Sequence, residues 1–214
     1  MARIRGDNAS NEIHGTRLAD YILGLAGNDD IDGGAGDDLI NAGAGDDEVD
    51  GGDGNDRIYG RRGRDDLDGG SGDDQLYGED GSDSLDGDSG NDRLYGGNAN
   101  DTLDGGEGDD YLSGADGLDR LDGGFGNDSL FGGRGRDIFE FETDRGQGFG
   151  QDIVRDFQPN IDRIDFDDLG RSYEQVMARA SQVGDDVVFN FGGAGRLTLL
   201  DTDLDDLDQG DFIL

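Results

Sequence analysis

A nine-residue pattern of glycine, aspartate and one apolar residue repeats without interruption from residue 6 to residue 140. The pattern is G-G-x-G-x-D-x-U-x, where U is a large apolar residue, and fifteen consecutive copies fill that range. The sixth position is aspartate in fourteen copies and Asn11 in the first, and the eighth position is apolar throughout, from Ile13 to Phe139. A fixed period of this kind is the sequence signature of a solenoid, in which each repeat packs only on its neighbours.

Each position of the repeat carries a residue type that suits one structural role. Glycine adopts positive φ angles at little cost, so a G-G-x-G run can turn tightly and aim successive carbonyl groups at one point. Carbonyl and carboxylate oxygens together suit a hard cation such as Ca²⁺, whereas zinc prefers cysteine and histidine, and this chain has no cysteine and one histidine. The x-U-x triplet alternates outward and inward and predicts a short β-strand with one buried side chain.

Alternate repeats differ at the ninth position, which reveals a second period of eighteen residues. Aromatic residues at this position are Tyr59, Tyr77, Tyr95 and Phe131, and the aspartates of the other set are Asp32, Asp50, Asp68, Asp86, Asp104 and Asp122. A coil of eighteen residues with two short strands and two loops places the two sets in different environments. We therefore predict an all-β fold, a parallel β-roll with eighteen residues per turn and two facing parallel sheets.

The composition makes this fold depend on an added stabilising factor. The formal net charge is -36, and Ile, Leu, Val and Phe make up only about a fifth of the residues. Highly charged chains with so few large apolar residues tend to remain disordered. We expect the chain without bound cations to be disordered, and cations that bridge adjacent turns to fold it.

Several functional classes are excluded by the residues that are present. No metalloprotease, P-loop, nucleophile-elbow or triad pattern can be assembled, so we do not expect an enzyme. Asp201, Asp203 and Asp205 resemble the start of an EF-hand loop, but Phe212 stands where the bidentate glutamate belongs. The acidity argues against nucleic acid as a partner. The chain contains no run of eighteen apolar residues, so membrane insertion is not predicted.

The repeat resembles the calcium-binding nonapeptide of RTX (repeats-in-toxin) hemolysin-type proteins. Copies such as GGAGDDLIN, GGDGNDRIY and GGSGDDQLY are close to the consensus of that family. The resemblance implies a calcium-stacked β-roll, in which each ion lies between two loops of the same edge. One loop would supply the oxygens of positions two, four and six, and the loop one turn later those of positions one, three and six.

Eight loops on one edge and seven on the other allow at most 13 inter-loop Ca²⁺ sites. The irregular loops, with Ala9, Leu18 or Ala99 at position four and with Arg61 and Arg62 inside the loop, are expected to be the weakest. The ligands that the resemblance implies occupy positions one to four and six and are Asp20, Gly24, Ala26, Gly27, Asp29, Gly33, Gly34, Ala35, Gly36, Asp38, Ala42, Gly43, Ala44, Gly45, Asp47, Gly51, Gly52, Asp53, Gly54, Asp56, Gly60, Arg61, Arg62, Gly63, Asp65, Gly69, Gly70, Ser71, Gly72, Asp74, Gly78, Glu79, Asp80, Gly81, Asp83, Gly87, Asp88, Ser89, Gly90, Asp92, Gly96, Gly97, Asn98, Ala99, Asp101, Gly105, Gly106, Glu107, Gly108, Asp110, Gly114, Ala115, Asp116, Gly117, Asp119, Gly123, Gly124, Phe125, Gly126, Asp128, Gly132, Gly133, Arg134, Gly135 and Asp137.

The composition changes after Glu140, so we place a module boundary near residue 141. This divides the chain into an RTX β-roll over residues 1–140 and a C-terminal module over residues 141–214. Within the module we predict two short strands around Pro159-Asn160, a helix in YEQVMARAS begun by a capping box of Ser172 and Gln175, and a hairpin around residues 192–195. A solenoid end needs a cap, and we predict that this β-rich segment with one short helix provides it.

The C-terminal module resembles that of serralysin-type secreted proteins through the segments DIVRDF, DRIDF and DFIL. The resemblance implies an uncleaved type I secretion signal at Asp211, Phe212, Ile213 and Leu214, read by the type I secretion machinery, and a secreted, extracellular protein. We expect signal and cap to be separable. No cleavable leader is recognisable, because the first fifteen residues contain no apolar stretch.

One outer face of the roll differs chemically from the other. Tyr59, Tyr77 and Tyr95 stack one turn apart with Arg57 and Arg93 beside them, which is a possible partner face for an acidic polysaccharide. Aromatic ladders also simply suit exposed parallel strands. The alternatives to a small calcium-binding secreted protein are a carbohydrate-binding or other non-catalytic module of a larger RTX enzyme, such as an epimerase or a protease, and a surface or matrix component. We expect a monomer.

Overall fold

Short strands follow one another at the nine-residue period throughout the repeat region of the computed structural model, which describes residues 1–141 and 148–214. The strands of this region are β1 (Arg3–Arg5), β2 (Glu12–Thr16), β3 (Tyr21–Leu23), β4 (Asp30–Gly34), β5 (Leu39–Ala44), β6 (Glu48–Asp50), β7 (Arg57–Arg62), β8 (Asp66–Asp68), β9 (Gln75–Asp80), β10 (Ser84–Asp86), β11 (Arg93–Asn98), β12 (Thr102–Asp104), β13 (Tyr111–Gly117), β14 (Arg120–Asp122), β15 (Ser129–Gly135) and β16 (Ile138–Glu140). Each x-U-x triplet thus lies in a strand, as the repeat predicts.

The strands form two parallel sheets, one from the odd-numbered and one from the even-numbered strands. Neighbours in a sheet are offset by eighteen residues, so that Ile58 pairs with Leu76 in one sheet and Leu67 with Leu85 in the other. The prediction of an all-β parallel β-roll with eighteen residues per turn is confirmed. The repeat region completes about eight turns.

The core is a double ladder of the apolar residues at position eight. From Ile13 to Phe139 these side chains are buried between the sheets, and their neighbours at positions seven and nine face outward. Each buried aliphatic side chain contributes roughly 1.5–3 kcal/mol. The ladder is only one side chain wide per strand, so the loops at the two edges must supply the rest of the stability.

The C-terminal segment continues both sheets. Its elements are β17 (Gln151–Val154), β18 (Arg163–Asp165), α1 (Tyr173–Met177), β19 (Ala180–Val183), β20 (Asp186–Asn190), β21 (Arg196–Leu199), β22 (Phe212–Ile213) and short 3₁₀ helices at Asp167–Leu169, Gly192–Ala194, Leu204–Asp206 and Gln209–Asp211. In the first sheet β15 is followed by β17, β21, β20 and β19, and in the second sheet β16 is followed by β18 and β22. Residues 142–147, just after the predicted module boundary, lie outside the described residues.

Most local predictions for this segment are confirmed. Strands β17 and β18 flank Pro159-Asn160, a capping box of Ser172 and Gln175 begins α1, and β20 and β21 form the predicted antiparallel hairpin. The predicted extent of the helix was wrong, because α1 ends at Met177 and the residues after it form β19, which pairs with β20. The division into two modules stays a prediction, since the sheets run through the proposed boundary.

An aromatic core covers the end of the roll, as a cap must. Phe166 contacts Phe141, Phe191 and Phe212 at ring-centroid distances of 5.6, 5.0 and 6.4 Å. These rings are buried beyond the last apolar residue of the repeat ladder, Phe139. In the described ranges no helix has the length and apolar character needed to span a bilayer.

Candidate calcium sites

The loops at both edges of the roll share one backbone conformation. Positions two and four take positive φ, as in Gly52 (94°) and Gly54 (143°). The conformation holds where glycine is replaced: Arg61 at position two and Ala99 at position four have φ of 86° and 81°. Residues with a Cβ are strained in this region, which explains why glycine dominates both positions.

Carbonyl groups of neighbouring loops point into the gap between them. The carbonyl oxygen of Gly52, at position two, accepts a hydrogen bond of 2.8 Å from the N–H of Ser71 in the next turn. The carbonyl oxygen of Ser71, at position three, points back and accepts from the N–H of Gly54 at 2.8 Å. The carbonyl of Gly54, at position four, faces Gly72, where a Cβ would collide with it. Loops eighteen residues apart therefore converge their backbone oxygens on one gap.

The aspartates at position six line these gaps. The N–H of Asp38 donates to Oδ1 of Asp56 at 2.6 Å, and the same contact recurs along both edges at intervals of eighteen residues. Oδ2 of Asp56 and the carbonyl oxygen of Gly69 lie 2.8 and 2.7 Å from the point that a Cβ on Gly51 would occupy. Carboxylate and carbonyl oxygens of two turns thus meet beside position one.

One oxygen of every position-six carboxylate from Asp29 to Asp137 has no hydrogen-bond partner. Among the described residues, the buried Oδ2 atoms without a partner are those of Asp29, Asp38, Asp47, Asp56, Asp65, Asp74, Asp83, Asp92, Asp101, Asp110, Asp119, Asp128 and Asp137. An ionised carboxylate oxygen buried without a donor, proton or cation is costly. The chemistry of these gaps therefore fits a hard, oxygen-liganded cation such as Ca²⁺.

The position-six aspartates of each edge form a row of stacked carboxylates. The electrostatics of these rows also favour a bound cation. Burial, together with the charge of neighbouring position-six carboxylates, raises the pKa of Asp74 to about 7 and that of Asp110 to about 8. The charged groups that act on Asp74 are Asp56, Asp92 and Asp73, all of them negative. Such a row requires either protons or cations to be stable at neutral pH.

Side chains alone do not supply enough ligands for a cation in these gaps. Within residues 1–141 and 148–214, no three His, Cys, Asp or Glu side chains are grouped so that they could hold a metal ion. Each gap receives one position-six carboxylate from each of two loops, and the other oxygens come from the backbone. This is the division of ligands that the resemblance implies, and the assignment of individual ligands stays a prediction.

The irregular loops keep the common geometry because their side chains turn outward. Arg61 Nη1 pairs with Glu79 Oε1 at 2.7 Å, and Arg62 Nε lies 3.9 Å from Asp80 Oδ2, in each case one turn further along. The carbonyl of Ala99 faces Gly117 as other position-four carbonyls face the next turn. The substitutions at these positions therefore leave the backbone oxygens in place.

The first loop of each edge is satisfied by protein donors. Oδ1 of Asn11 accepts from the N–H of Asp7 at 2.8 Å. Oδ2 of Asp20 accepts from the N–H of Thr16 at 2.9 Å and from its hydroxyl at 2.8 Å. The expectation that cation sites fail at the first loops stays a prediction.

The aspartate ladder continues beyond the repeats, which the sequence analysis missed. The N–H of Asp128 donates to Oδ1 of Asp152 at 3.0 Å, and the N–H of Asp137 donates to Oδ1 of Asp162 at 3.1 Å. The spacings are 24 and 25 residues instead of eighteen. The available signal was the segment GFGQDIVR at residues 148–155, which fits positions two to nine of the repeat after six additional residues.

The tyrosines of the predicted partner face stack on one another. Tyr59 and Tyr77 have ring centroids 4.8 Å apart at 10°, and Tyr77 and Tyr95 lie 4.9 Å apart at 4°. Arg57 donates to Gln75 Oε1 at 2.9 Å. Because the ring faces contact each other, a sugar could reach only the ring edges, and polysaccharide binding by this face stays a prediction.

The predicted secretion signal lies inside the fold. The Asp211 carboxylate is buried and accepts hydrogen bonds from the N–H groups of Asn160 at 2.6 Å and Asp208 at 2.8 Å. Phe212 is buried and pairs with Ile164 in the second sheet, whereas Leu214 is 40% exposed. These residues are part of the cap, and the expectation that signal and cap are separable stays a prediction.

The repeat region matches a known family. The model of the RTX calcium-binding nonapeptide repeat matches residues 5–40, 14–49, 32–67, 41–76, 77–112, 86–121 and 104–139, which together cover more than half of the chain. The chain therefore belongs to the RTX calcium-binding nonapeptide-repeat family. It is a calcium-binding repeat module, and the matched family is not a catalytic one. No curated protein sequence matches the chain.

The solved structures that are similar to the chain include the following two. The crystal structure of extracellular lipase LipA from Serratia marcescens is 20% identical with a TM-score of 0.45, over 98% of this chain and 39% of the lipase. The solution structure of the AlgE6R3 subunit of the Azotobacter vinelandii mannuronan C5-epimerase is 28% identical with a TM-score of 0.42, over 69% of this chain and 78% of that subunit. The chain spans about two fifths of the length of the lipase.

Proposed function

We propose that the chain is a secreted module that is disordered at low calcium and folds when calcium binds between the loops of successive turns. The thirteen buried Oδ2 atoms without a partner carry this proposal. They occur along both edges of the roll, from Asp29 to Asp137. Calcium at these positions would join carboxylates of two turns and remove the repulsion between them.

The net charge makes folding without cations unfavourable. Thirteen divalent ions would bring about +26 to a chain of formal charge -36. Because the unfolded chain does not hold preformed sites, the free energy of binding adds directly to the free energy of folding. Extracellular calcium modules bind at roughly 10⁻⁴ to 10⁻³ M, so the fold would form outside a cell and not in the cytosol.

Circular dichroism in EGTA and then in rising calcium tests the coupling. We expect little β-structure in EGTA and a cooperative gain of β-structure in millimolar calcium. Magnesium at the same concentration is the control, because its strict octahedral geometry and slow dehydration disfavour a cage of backbone carbonyls. A β-rich spectrum that EGTA leaves unchanged would falsify calcium-coupled folding.

The same mechanism supports export of an unfolded chain through a type I secretion machinery. Asp211 and Phe212, which the proposed signal includes, are buried in the folded protein. A receptor could read them only before the chain folds, which low cytosolic calcium would permit. Secretion of the intact chain and of a variant with scrambled residues 211–214, measured in a host with a type I exporter, tests this assignment. Export of the scrambled variant at the intact level would contradict it.

The proposed module has no activity of its own. Its C-terminal segment, residues 141–214, closes the open end of the roll, and the roll supplies the calcium sites. A larger protein that carries a catalytic domain is compatible with this role, because the repeats fold on calcium whatever precedes them. Sedimentation analysis in calcium tests the expected monomeric state, and a stable dimer would contradict it.

A further inference from the structure

On the edge of the roll that includes Asp128, the last two stacked loops are not eighteen residues apart. The loop of residues 148–152 stacks on the loop of residues 124–128 with a spacing of 24 residues, and the strands that follow pair in parallel, with Leu130 opposite Val154. Gly150 has a φ of 89° and faces the carbonyl of Gly126 so closely that a Cβ would collide with it. Position four and the following strand therefore keep the geometry of a repeat.

The carboxylates of this turn face each other without a positive partner. Asp128 and Asp152 are 1% and 2% exposed, and the Asp128 N–H donates to Asp152 Oδ1 at 3.0 Å. Oδ2 of Asp128 is buried without a hydrogen-bond partner. The other charged groups that act on the pair, Asp109 and Asp122, are also negative.

At the corresponding end of the other edge, where Asp162 follows Asp137, the contacts are different. Oδ1 of Asp162 accepts from the Asp137 N–H, and its Oδ2 accepts from the N–H of Gln158 at 2.9 Å. The side-chain amide of Gln158 also donates to the carbonyl of Gly133, at position two, at 3.0 Å. Protein N–H groups thus occupy both oxygens of Asp162, whereas Oδ2 of Asp137 stays buried without a partner.

At the Asp152 end the position-three N–H does not bond to the preceding turn. In a regular turn the position-three N–H bonds to the position-two carbonyl of the preceding turn, as Phe125 does to Gly106 at 2.7 Å. Phe149, at position three here, instead donates to the carbonyl of Ala194 in the cap at 2.9 Å. The cap therefore takes up the amide of Phe149, while the N–H of Gln151 donates to the carbonyl of Gly126 at 3.2 Å.

We propose that a Ca²⁺ ion binds between these two loops, bridged by the carboxylates of Asp128 and Asp152 and by the carbonyl oxygen of Gly126. This site lies beyond the thirteen gaps of the repeats and joins the β-roll to its cap. It rests on the proposed function, because it extends the calcium row of that edge by one ion. The opposite edge gains no such ion, since Gln158 fills the equivalent place.

Native mass spectrometry of the calcium-loaded chain tests the site. Asp152→Asn is nearly isosteric and removes the charge, and we expect it to bind one ion fewer than the intact chain. Asp162→Asn is the matched control, an equally buried aspartate one row away, and should keep the intact number. An Asp152→Asn chain with the full number of ions, or an equal loss in both variants, would overturn the proposal.

A crystal structure of the intact chain grown with calcium gives a second readout that does not depend on a variant folding. We expect an anomalous-difference peak between Asp128 and Asp152 and none between Asp137 and Asp162. Peaks along the repeats without one at Asp152 would sink this site and leave calcium-coupled folding intact. A chain that holds no calcium at all would instead contradict the proposed function.

Discussion

The backbone N–H of Asp56 donates to Oδ1 of Asp74, eighteen residues later, at 2.6 Å, and leaves Oδ2 of Asp74 buried without a partner. Each position-six aspartate from Asp29 to Asp137 therefore performs two tasks. One oxygen fixes the stacking of successive turns, and the other is available to a cation in the gap. Because each of these residues adjoins two gaps, neighbouring cation sites on the same edge share an aspartate.

Asp74→Ala should be much more harmful than Asn11→Ala. Asp74 adjoins two gaps in the middle of a row, and its loss also leaves the N–H of Asp56 without its acceptor. We expect a cost of about 1–3 kcal/mol for each site affected, and less than about 1 kcal/mol for Asn11 at the open end. Calcium midpoints of folding for the two variants measure this, and equal shifts would argue against ligation shared between turns.

Acid should fold the calcium-free chain in part. Burial raises the pKa of Asp56, Asp65 and Asp101 to about 7 from 3.8, so the folded state binds more protons than the unfolded state between these values. Stability is then greatest below pH 3.8 and is lost as pH rises through about 7. Circular dichroism of the chain, freed of calcium by gel filtration into calcium-free buffers, should show β-structure increasing from pH 8 to pH 5, and loss of structure over that range would refute this linkage.

The loop glycines should tolerate a methyl group poorly. Gly72 has a φ of 132°, and a Cβ there would collide with the carbonyl of Gly54. We expect Gly72→Ala to cost about 1–3 kcal/mol. Gly193→Ala is the control, because a Cβ on Gly193 meets no atom within 4 Å, and its cost should be within about 0.5 kcal/mol. Urea unfolding in saturating calcium measures both, and similar midpoints would contradict the loop geometry.

The terminal residues should matter for stability as well as for export. Phe212 is buried against Phe166, Phe189 and Tyr173, so Phe212→Ala should cost about 3–5 kcal/mol in calcium. Leu214→Ala, at an exposed position, should cost less than about 0.5 kcal/mol. Thermal unfolding distinguishes the two, and an unaffected Phe212→Ala protein would support the view that signal and cap are separable.

The stacked tyrosines Tyr59, Tyr77 and Tyr95 should contribute mainly to the stability of the fold and not to polysaccharide binding. Tyr77 is stacked on both sides, and we expect Tyr77→Ser to cost about 1–2 kcal/mol while leaving retention on alginate unchanged. Tyr21, which lies outside this stack and has Arg3 5.8 Å from its ring centroid, is the control position. Calcium-dependent retention of the wild type that the Tyr77 variant loses would favour the polysaccharide-binding alternative.

Much of the fold was predictable from the repeat because the interactions that define it are periodic. An apolar residue every nine positions and an alternation every eighteen leave few arrangements other than two facing sheets, and Ile58 and Leu67 occupy the predicted ladders. The turn residues could be assigned because positive φ favours glycine. In the C-terminal segment the hairpin and the capping box were predictable, since each is encoded by residues close in sequence.

The sequence by itself determined the period, the coil of eighteen residues and the residue types at the gaps, because each follows from local preference repeated many times. Only the tertiary structure decided where the rows end, since Asp152 meets Asp128 across a break in the period. It also decided that Phe212 completes the second sheet and that Asp211 accepts a hydrogen bond from the N–H of Asn160. Contacts between distant and non-repeating segments depend on how the chain closes on itself, and no local pattern records that closure.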